Sequence, residues 1–391
     1  MNVRIVRTTL LFGSMVFTMG FIMNTVISDR TKEYQRTVDK LRNLNTIKKR
    51  ILEGRVLQVT PASGQEYIFS NKSIIDRKVS PKDRKVTPKS IIREDEVKTC
   101  QPKRAADRME NLFGGQFNRS LSPFATLSSI RSANSTKYPL PFGFHGTERT
   151  ASDVVGKLPD TDIPADIKKL PCRRCIVIGN GGLLKGSKLG SHIDQYDAVF
   201  RLNIAPIKGY ESDVGTKTTI RAVYPESSNI GSKAYTQNWT LLVVPFKAND
   251  LKWLDTIIEG RDLKKLKGFW STTVDFVPKP RKDLRLYNPE ITSELSFNLI
   301  GMKSGKGSKN VPTTGAMVIM VAIRVCDEVS VAGFGYDMKR LDTPIHYYSS
   351  QKTKAILSSF THDIDHETKF LHKLVEQGVI NDITGGLRTK L

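Results

Sequence analysis

Six short apolar runs dominate the second half of the chain: CIVIG (175–179), AVFRL (198–202), TIRAV (219–223), TLLVVPF (240–246), LRLYN (284–288) and EVSVAGF (328–334). Each is bounded by polar or glycine-rich turns, and helix-like segments at 250–259 and 315–325 separate several of them. Runs that are apolar on successive residues read as strands buried on both faces, the pattern of a mostly parallel sheet covered by helices. The expected fold class is therefore α/β, a Rossmann-like twisted sheet flanked by helices. Such sheets bind ligands outside the carboxyl ends of their strands.

The first run continues into a glycine-rich turn, IVIGNGGLLKGS (176–187). A dinucleotide fingerprint needs glycine at its first, third and sixth positions, and an acid near the end of the second strand. Counting from Gly179, Gly181 fills the third position but Leu184 stands at the sixth, and the second strand ends at Leu202-Asn203 without a carboxylate. Both tests exclude a nicotinamide cofactor. The strand end instead offers Asn180 and backbone N–H groups to a polar ligand, with Asn203 beside it from the next strand.

The N-terminus suggests a compartment. TTLLFGSMVFTMGFIMNTVI (8–27) is uncharged and close to the ~20 residues that cross a bilayer. It exceeds the apolar core of a usual signal peptide and no A-x-A site follows, so it reads as an uncleaved anchor. Arg4 and Arg7 precede it while Arg30, Lys32 and Arg36 follow, so flanking charge does not set its orientation. The expected organisation is a tail at 1–7, an anchor at 8–27, a polar stem at 28–99 and a lumenal catalytic domain at 100–391. The stem carries the near-repeat RKVSP and RKVTP and weak apolar periodicity, with a helical patch at 34–52. Sequons at Asn71, Asn118, Asn134 and Asn238 are compatible with a lumenal body. Four cysteines, Cys100, Cys172, Cys175 and Cys326, form an even set. A zinc site would need a second closely spaced pair, so two structural disulfides is the simpler reading in a secretory compartment. The net charge of +22 suits anionic substrates, and no zinc-finger spacing or aromatic–basic RNA signature accompanies it. Nucleic acid is not an expected partner.

Four segments carry a resemblance. Residues 172–225, CRRCIVIGNGGLLKGSKLGSHIDQYDAVFRLNIAPIKGYESDVGTKTTIRAVYP, resemble the large sialylmotif of animal sialyltransferases. VPTTGAMVIMVAIRVCDEVSVAGFG (311–335) resembles the small motif, His346-Tyr347-Tyr348 the third, and His362 with Glu367 in HxxxxE the very small one. All four stand in the family's order. The resemblance implies a variant of the nucleotide-sugar glycosyltransferase (GT-A-like) fold in a Golgi type II membrane enzyme. It implies inverting transfer of sialic acid from CMP-sialic acid to a glycan without a metal or other cofactor. It also implies the disulfides Cys175–Cys326 and, in the galactoside α2,3 branch, Cys100–Cys172.

Chemistry assigns roles within those segments. A diphosphate donor usually needs a cation held by D-x-D at a strand end; Asp363-Ile364-Asp365 and Asp160-Thr161-Asp162 both lack that context. The single phosphate of CMP must then be met by protein donors. His346, Tyr347 and the turn Thr313-Thr314-Gly315, which opens a helix, are the candidates. Asn180, Asn203, Gly333 and Gly335 complete the expected donor set, and Thr314 reads equally as a helix cap. His362 is the expected general base, placed in the loop before a helix whose apolar face is Phe370, Leu371, Leu374 and Val375 and whose end is Gly378. Glu367 falls in that helix's first turn, to orient the loop or to favour the dipole, while Asp363, Asp365 and His366 read as solvated. Tyr224 is an acceptor-side wall or a core tyrosine.

Phe246-Lys247, LKWL (251–254), AGFGYDM (332–338) and TPIHYY (343–348) resemble the galactoside α2,3 group. Within it the chain is similar both to lactosamine-type enzymes and to the lactosylceramide (GM3-synthase) type. ETKFLHKLVEQGV (367–379) resembles the latter, but that type typically carries His where Asp213 stands here. The expected acceptor is a galactose-terminated glycoprotein or glycolipid. The alternative from another class is an inactive membrane-tethered glycan-binding protein; the presence of both His346 and His362 speaks against it.

Overall fold

The computed structural model describes residues 100–388 apart from 160–162, 164, 304–309, 337–340 and 359–360, together with residues 58–59 and 67–68. The chain divides into Met1–Asp95 and Glu96–Leu391. In the first part Gln58–Val59 and Tyr67–Ile68 form an antiparallel pair. The apolar run 8–27, the helical patch 34–52, Asn71 and Asp160-Thr161-Asp162 lie outside the described residues. Among the described residues no helix is long and apolar enough to cross a membrane.

The second part is built on seven strands. All six expected runs form one: β1 (Arg174–Ile178), β2 (Ala198–Leu202), β3 (Ile220–Val223), β4 (Thr240–Val243), β5 (Leu284–Leu286) and β6 (Glu328–Ala332). A seventh, β7 (Ile380–Asp382), was not expected. The order is β5-β4-β3-β2-β1-β6-β7 and every pairing is parallel. Chain order reverses between β1 and β6, the switch point at which open sheets of this kind form a crevice.

Side chains alternate across the sheet, and both faces are covered. Val177, Phe200, Leu202 and Ile220 pack into one core with α4 (Thr314–Val325); Ile176, Ile178 and Val199 pack into another with Leu184, Val214 and Tyr347. This two-sided burial is why the strand sequences run apolar without alternating. In α4 every residue except Arg324 is buried, which explains the unbroken apolar run from Ala316 to Ile323. Toward the β5 edge, α2 (Glu148–Val155) and α3 (Ala248–Ile258) cover Val223, Leu241 and Val243. The remaining longer helices are α1 (Arg104–Phe113) and α5 (Ile364–Glu376). As expected, α5 stops short of Gly378, whose φ of 63° is left-handed. Ile380–Asp382 then adds β7 at the sheet edge.

Both disulfides have the pairing that the resemblance implied. Cys175–Cys326 ties the start of β1 to the residue that ends α4, and Cys100–Cys172 ties the start of the described domain to the approach to β1. Among the described residues no free cysteine remains.

Candidate active site

The glycines of the β1 turn answer a packing demand. A Cβ on Gly179 or Gly181 would lie 2.5 Å from the Gly333 carbonyl oxygen, and one on Gly182 would lie 2.4 Å from that of Pro344. The crossing of the β1 and β6 ends therefore needs bare backbone. The Gly179 and Gly181 N–H groups donate to Ala332 and Gly333 carbonyls at 2.7 and 3.0 Å. This corrects the sequence reading: those amides hold the two strand ends together and are not offered to a ligand. Gly333 and Gly335, at φ 72° and 88°, turn the chain out of β6. Gly315 leaves room for the Phe334 ring, which would stand 2.7 Å from a Cβ there.

The asparagines remain available. Among the described residues, the side-chain oxygens of Asn180 and Asn203 are buried without a hydrogen-bond partner. Asn180 follows β1, and its carbonyl accepts from the Tyr347 N–H at 3.0 Å. Asn203 follows β2 with a left-handed φ of 53°, a conformation asparagine tolerates better than most residues.

The His346-Tyr347-Tyr348 segment lies against this turn. His346 makes an antiparallel bridge with Gly181, and its ring stacks on Tyr348 at 5.1 Å and 7°. Burial holds its imidazole below the ordinary histidine range. Tyr347 is 2% exposed, and its hydroxyl donates to the Pro206 carbonyl at 2.6 Å. It braces the turn after β2, so the hydroxyl proton expected to meet the donor phosphate is committed to the Pro206 carbonyl.

His362 stands one residue before the cap of α5 and is partly buried. Its Nδ1 lies 2.7 Å from the Val311 carbonyl, which can only accept, so Nδ1 carries the proton and the basic lone pair of the neutral ring is on Nε2. Burial lowers its pKa and the Val311 bond opposes that shift. Glu367 does orient the neighbourhood: its carboxylate accepts from the Thr313 N–H at 2.7 Å and hydroxyl at 2.6 Å. Burial nonetheless pushes this carboxyl up to about 7, against the two bonds that favour the anion. Thr313, not Thr314, caps α4, accepting from the Ala316 N–H. Asp363 also differs from expectation: it caps α5 and pairs with His366 at 2.8 Å, while Asp365 and His366 are exposed.

Residues 125–379 match glycosyltransferase family 29 (sialyltransferase). The chain belongs to the sialyltransferase family. It is 38% identical over 298 residues to lactosylceramide alpha-2,3-sialyltransferase of Rattus norvegicus, covering 74% of this chain and 77% of the relative. It is also 38% identical over 291 residues to CMP-N-acetylneuraminate-beta-1,4-galactoside alpha-2,3-sialyltransferase of Mus musculus, covering 74% and 78%. A crystal structure of a mammalian sialyltransferase in complex with Gal-beta-1-3GalNAc-ortho-nitrophenol superposes with a TM-score of 0.55 at 26% identity, covering 73% of this chain and 98% of that one.

In this sialyltransferase the candidate residues fall into two groups. Asn180, Asn203, His346, Gly333 and Gly335 gather around the β1–β6 switch point; Thr313, Thr314, Gly315, His362 and Glu367 gather where α4 and α5 begin. Phe334 connects the groups, lying beside both Gly179 and Gly315. Tyr224, after β3, is half-buried between Phe246 at 5.2 Å and the exposed Trp270 at 6.3 Å. Near it, the partly exposed Lys247 pairs with the buried carboxylates of Glu226 at 2.8 Å and Asp250 at 2.7 Å, a cluster that the sequence does not reveal. Arg201 and Arg221 also escape a reading of the sequence. The available signal was a charged residue inside each of two otherwise apolar runs, AVFRL and TIRAV.

Proposed function

We propose that this enzyme transfers sialic acid from CMP-sialic acid to the 3-OH of a terminal galactose, with inversion and without a metal. His362 carries the reading. Its tautomer is fixed by Val311 and its imidazole is neutral at physiological pH, so Nε2 is the atom that accepts the acceptor hydroxyl's proton. Asn180 and Asn203 bind the donor through their unpartnered oxygens. His346 and the first-turn amides of α4, those of Thr314 and Gly315, meet the phosphate of the departing CMP. The Asp363 and Asp365 carboxylates are engaged by His366 and Lys369, which supports phosphate neutralisation by protein groups. Tyr224 forms the acceptor-side wall.

The proposed setting is the Golgi membrane, single-pass type II, with 1–7 cytoplasmic, 8–27 as anchor, 28–99 as stem and 100–391 in the lumen. Two disulfides fit an oxidising compartment, and Asn118, Asn134 and Asn238 are exposed, as attachment of a glycan requires.

Asp213 supports galactoside over lactosylceramide specificity. It is buried, and its carboxylate accepts from the Gly186 and Lys188 N–H groups at 2.8 and 3.0 Å, fixing the far end of the glycine-rich turn. A histidine cannot accept both bonds, so this turn is set differently from that of the lactosylceramide type. CMP release measured with N-acetyllactosamine and with lactosylceramide tests the reading. Release with the first, at the higher kcat/KM, is expected; release with neither would overturn it.

A further inference from the structure

Two arginines are buried side by side beneath the candidate site. Arg201 and Arg221 are register partners on β2 and β3, 2% and 4% exposed. Among the described residues no carboxylate lies within ion-pair distance of either. Arg201 donates to the Val214 and Lys217 carbonyls at 2.8 Å and to the Thr218 hydroxyl at 3.1 Å. Arg221 donates to the carbonyls of Asn203 at 2.7 Å and Ala205 at 3.1 Å. Asp194, whose field reaches Arg201, spends its oxygens on the N–H groups of Thr216 and Lys217. Burial and mutual repulsion pull Arg201 down to about 10, and burial lowers Arg221. A guanidinium does not give up its proton inside a protein, so both side chains carry positive charge.

Two uncompensated buried charges on neighbouring strands work against folding. A fold that keeps them must gain something from the field they create. Arg221 holds the carbonyls of Asn203 and Ala205, while Tyr347 holds that of Pro206, so both fasten the turn carrying Asn203. Burial raises the Tyr347 and Tyr348 phenols, and the same guanidinium is near enough to oppose that rise in both, which puts it close to the segment that bears His346.

We infer that Arg221, reinforced by Arg201, is a positioning residue that sets Asn203 and supplies fixed positive charge beneath the donor phosphate. This rests on the donor reading above. The counter-ion the pair lacks in the free chain arrives with the nucleotide. In a low-dielectric floor such charge acts on the phosphate without touching it and needs no reorganisation when CMP departs.

The test compares two probes, CMP and cytidine, as competitive inhibitors of the full chain carrying Arg221→Met, Arg221→Lys or Arg201→Met. The inference predicts that Arg221→Met weakens CMP at least about tenfold more than cytidine, that Arg221→Lys restores much of the difference, and that Arg201→Met shows the same split at smaller size. Arg201 makes no bond to the Asn203 turn, so its variant reports charge even if Arg221→Met fails to fold. Equal weakening of CMP and cytidine would reduce the pair to shaping the pocket, and unchanged CMP affinity in folded variants would remove it altogether. Failure of the parent chain to bind CMP would overturn the donor reading itself.

Discussion

His362 takes its chemistry from two neighbours: apolar surroundings that disfavour the cation, and the Val311 carbonyl that fixes which nitrogen is basic. His362→Ala should lower kcat by about 10²–10⁴-fold with CMP affinity nearly unchanged, read from steady-state rates and CMP inhibition. The base must be neutral, and its pKa lies below the ordinary 6.5, so the acid limb of kcat/KM should fall below that value. His346 acts in the opposite sense. It is neutral in the free chain because burial disfavours its charge, and a phosphate beside it favours the cation. CMP binding should therefore take up a proton, and affinity should rise as pH falls from about 8 to about 6. Calorimetry in buffers of different ionisation heat reads this directly; no proton uptake would take His346 away from the phosphate.

The starts of α4 and α5 act as one unit through Glu367, whose carboxylate holds Thr313 by two bonds while His362 holds Val311. Glu367→Gln leaves an amide that can accept one of those bonds but not both, so it should cost about 1–3 kcal/mol by denaturant unfolding. It should also lower kcat by loosening the base. The sign with pH follows from burial: the carboxyl titrates at about 7 in the fold against an ordinary 4.5, so the folded state binds more protons between these values. Stability from this group should decline as pH rises from 4.5 to 7, and the glutamine variant should lose that slope. The elements themselves were largely legible. Strands buried on both faces advertise themselves as apolar runs, and His362 was placed before α5 by that helix's apolar stripe. Ile380–Asp382 escaped because three residues with one exposed position carry no period. The role of the β1 glycines escaped because a close approach by Gly333, distant in sequence, leaves no local trace. Arg201 and Arg221 were visible as letters but not as a pair until the β2–β3 register placed them together.

At the scale of the whole domain, the Cys175–Cys326 bridge spans 151 residues and joins the two halves of the sheet that meet at the crevice. Replacing both cysteines by serine should cost about 2–5 kcal/mol, measured by chemical unfolding under non-reducing conditions. The site draws on β1, β2, β3 and β6 and on the starts of α4 and α5, so its parts are assembled only by the closed sheet. The resemblance in four separated segments could name the residues and the two disulfides; which amides and hydroxyls were already committed needed the packed structure. The most direct measurement of the account is transfer from CMP-sialic acid to N-acetyllactosamine in excess chelator, with the product's linkage read by a linkage-specific sialidase and His362→Ala run beside the parent. An α2,3-linked product should form at full rate with the metal sequestered, and the variant should be slower by at least about a hundredfold. No product without added divalent metal, or a His362→Ala enzyme as fast as the parent, would contradict the proposed mechanism.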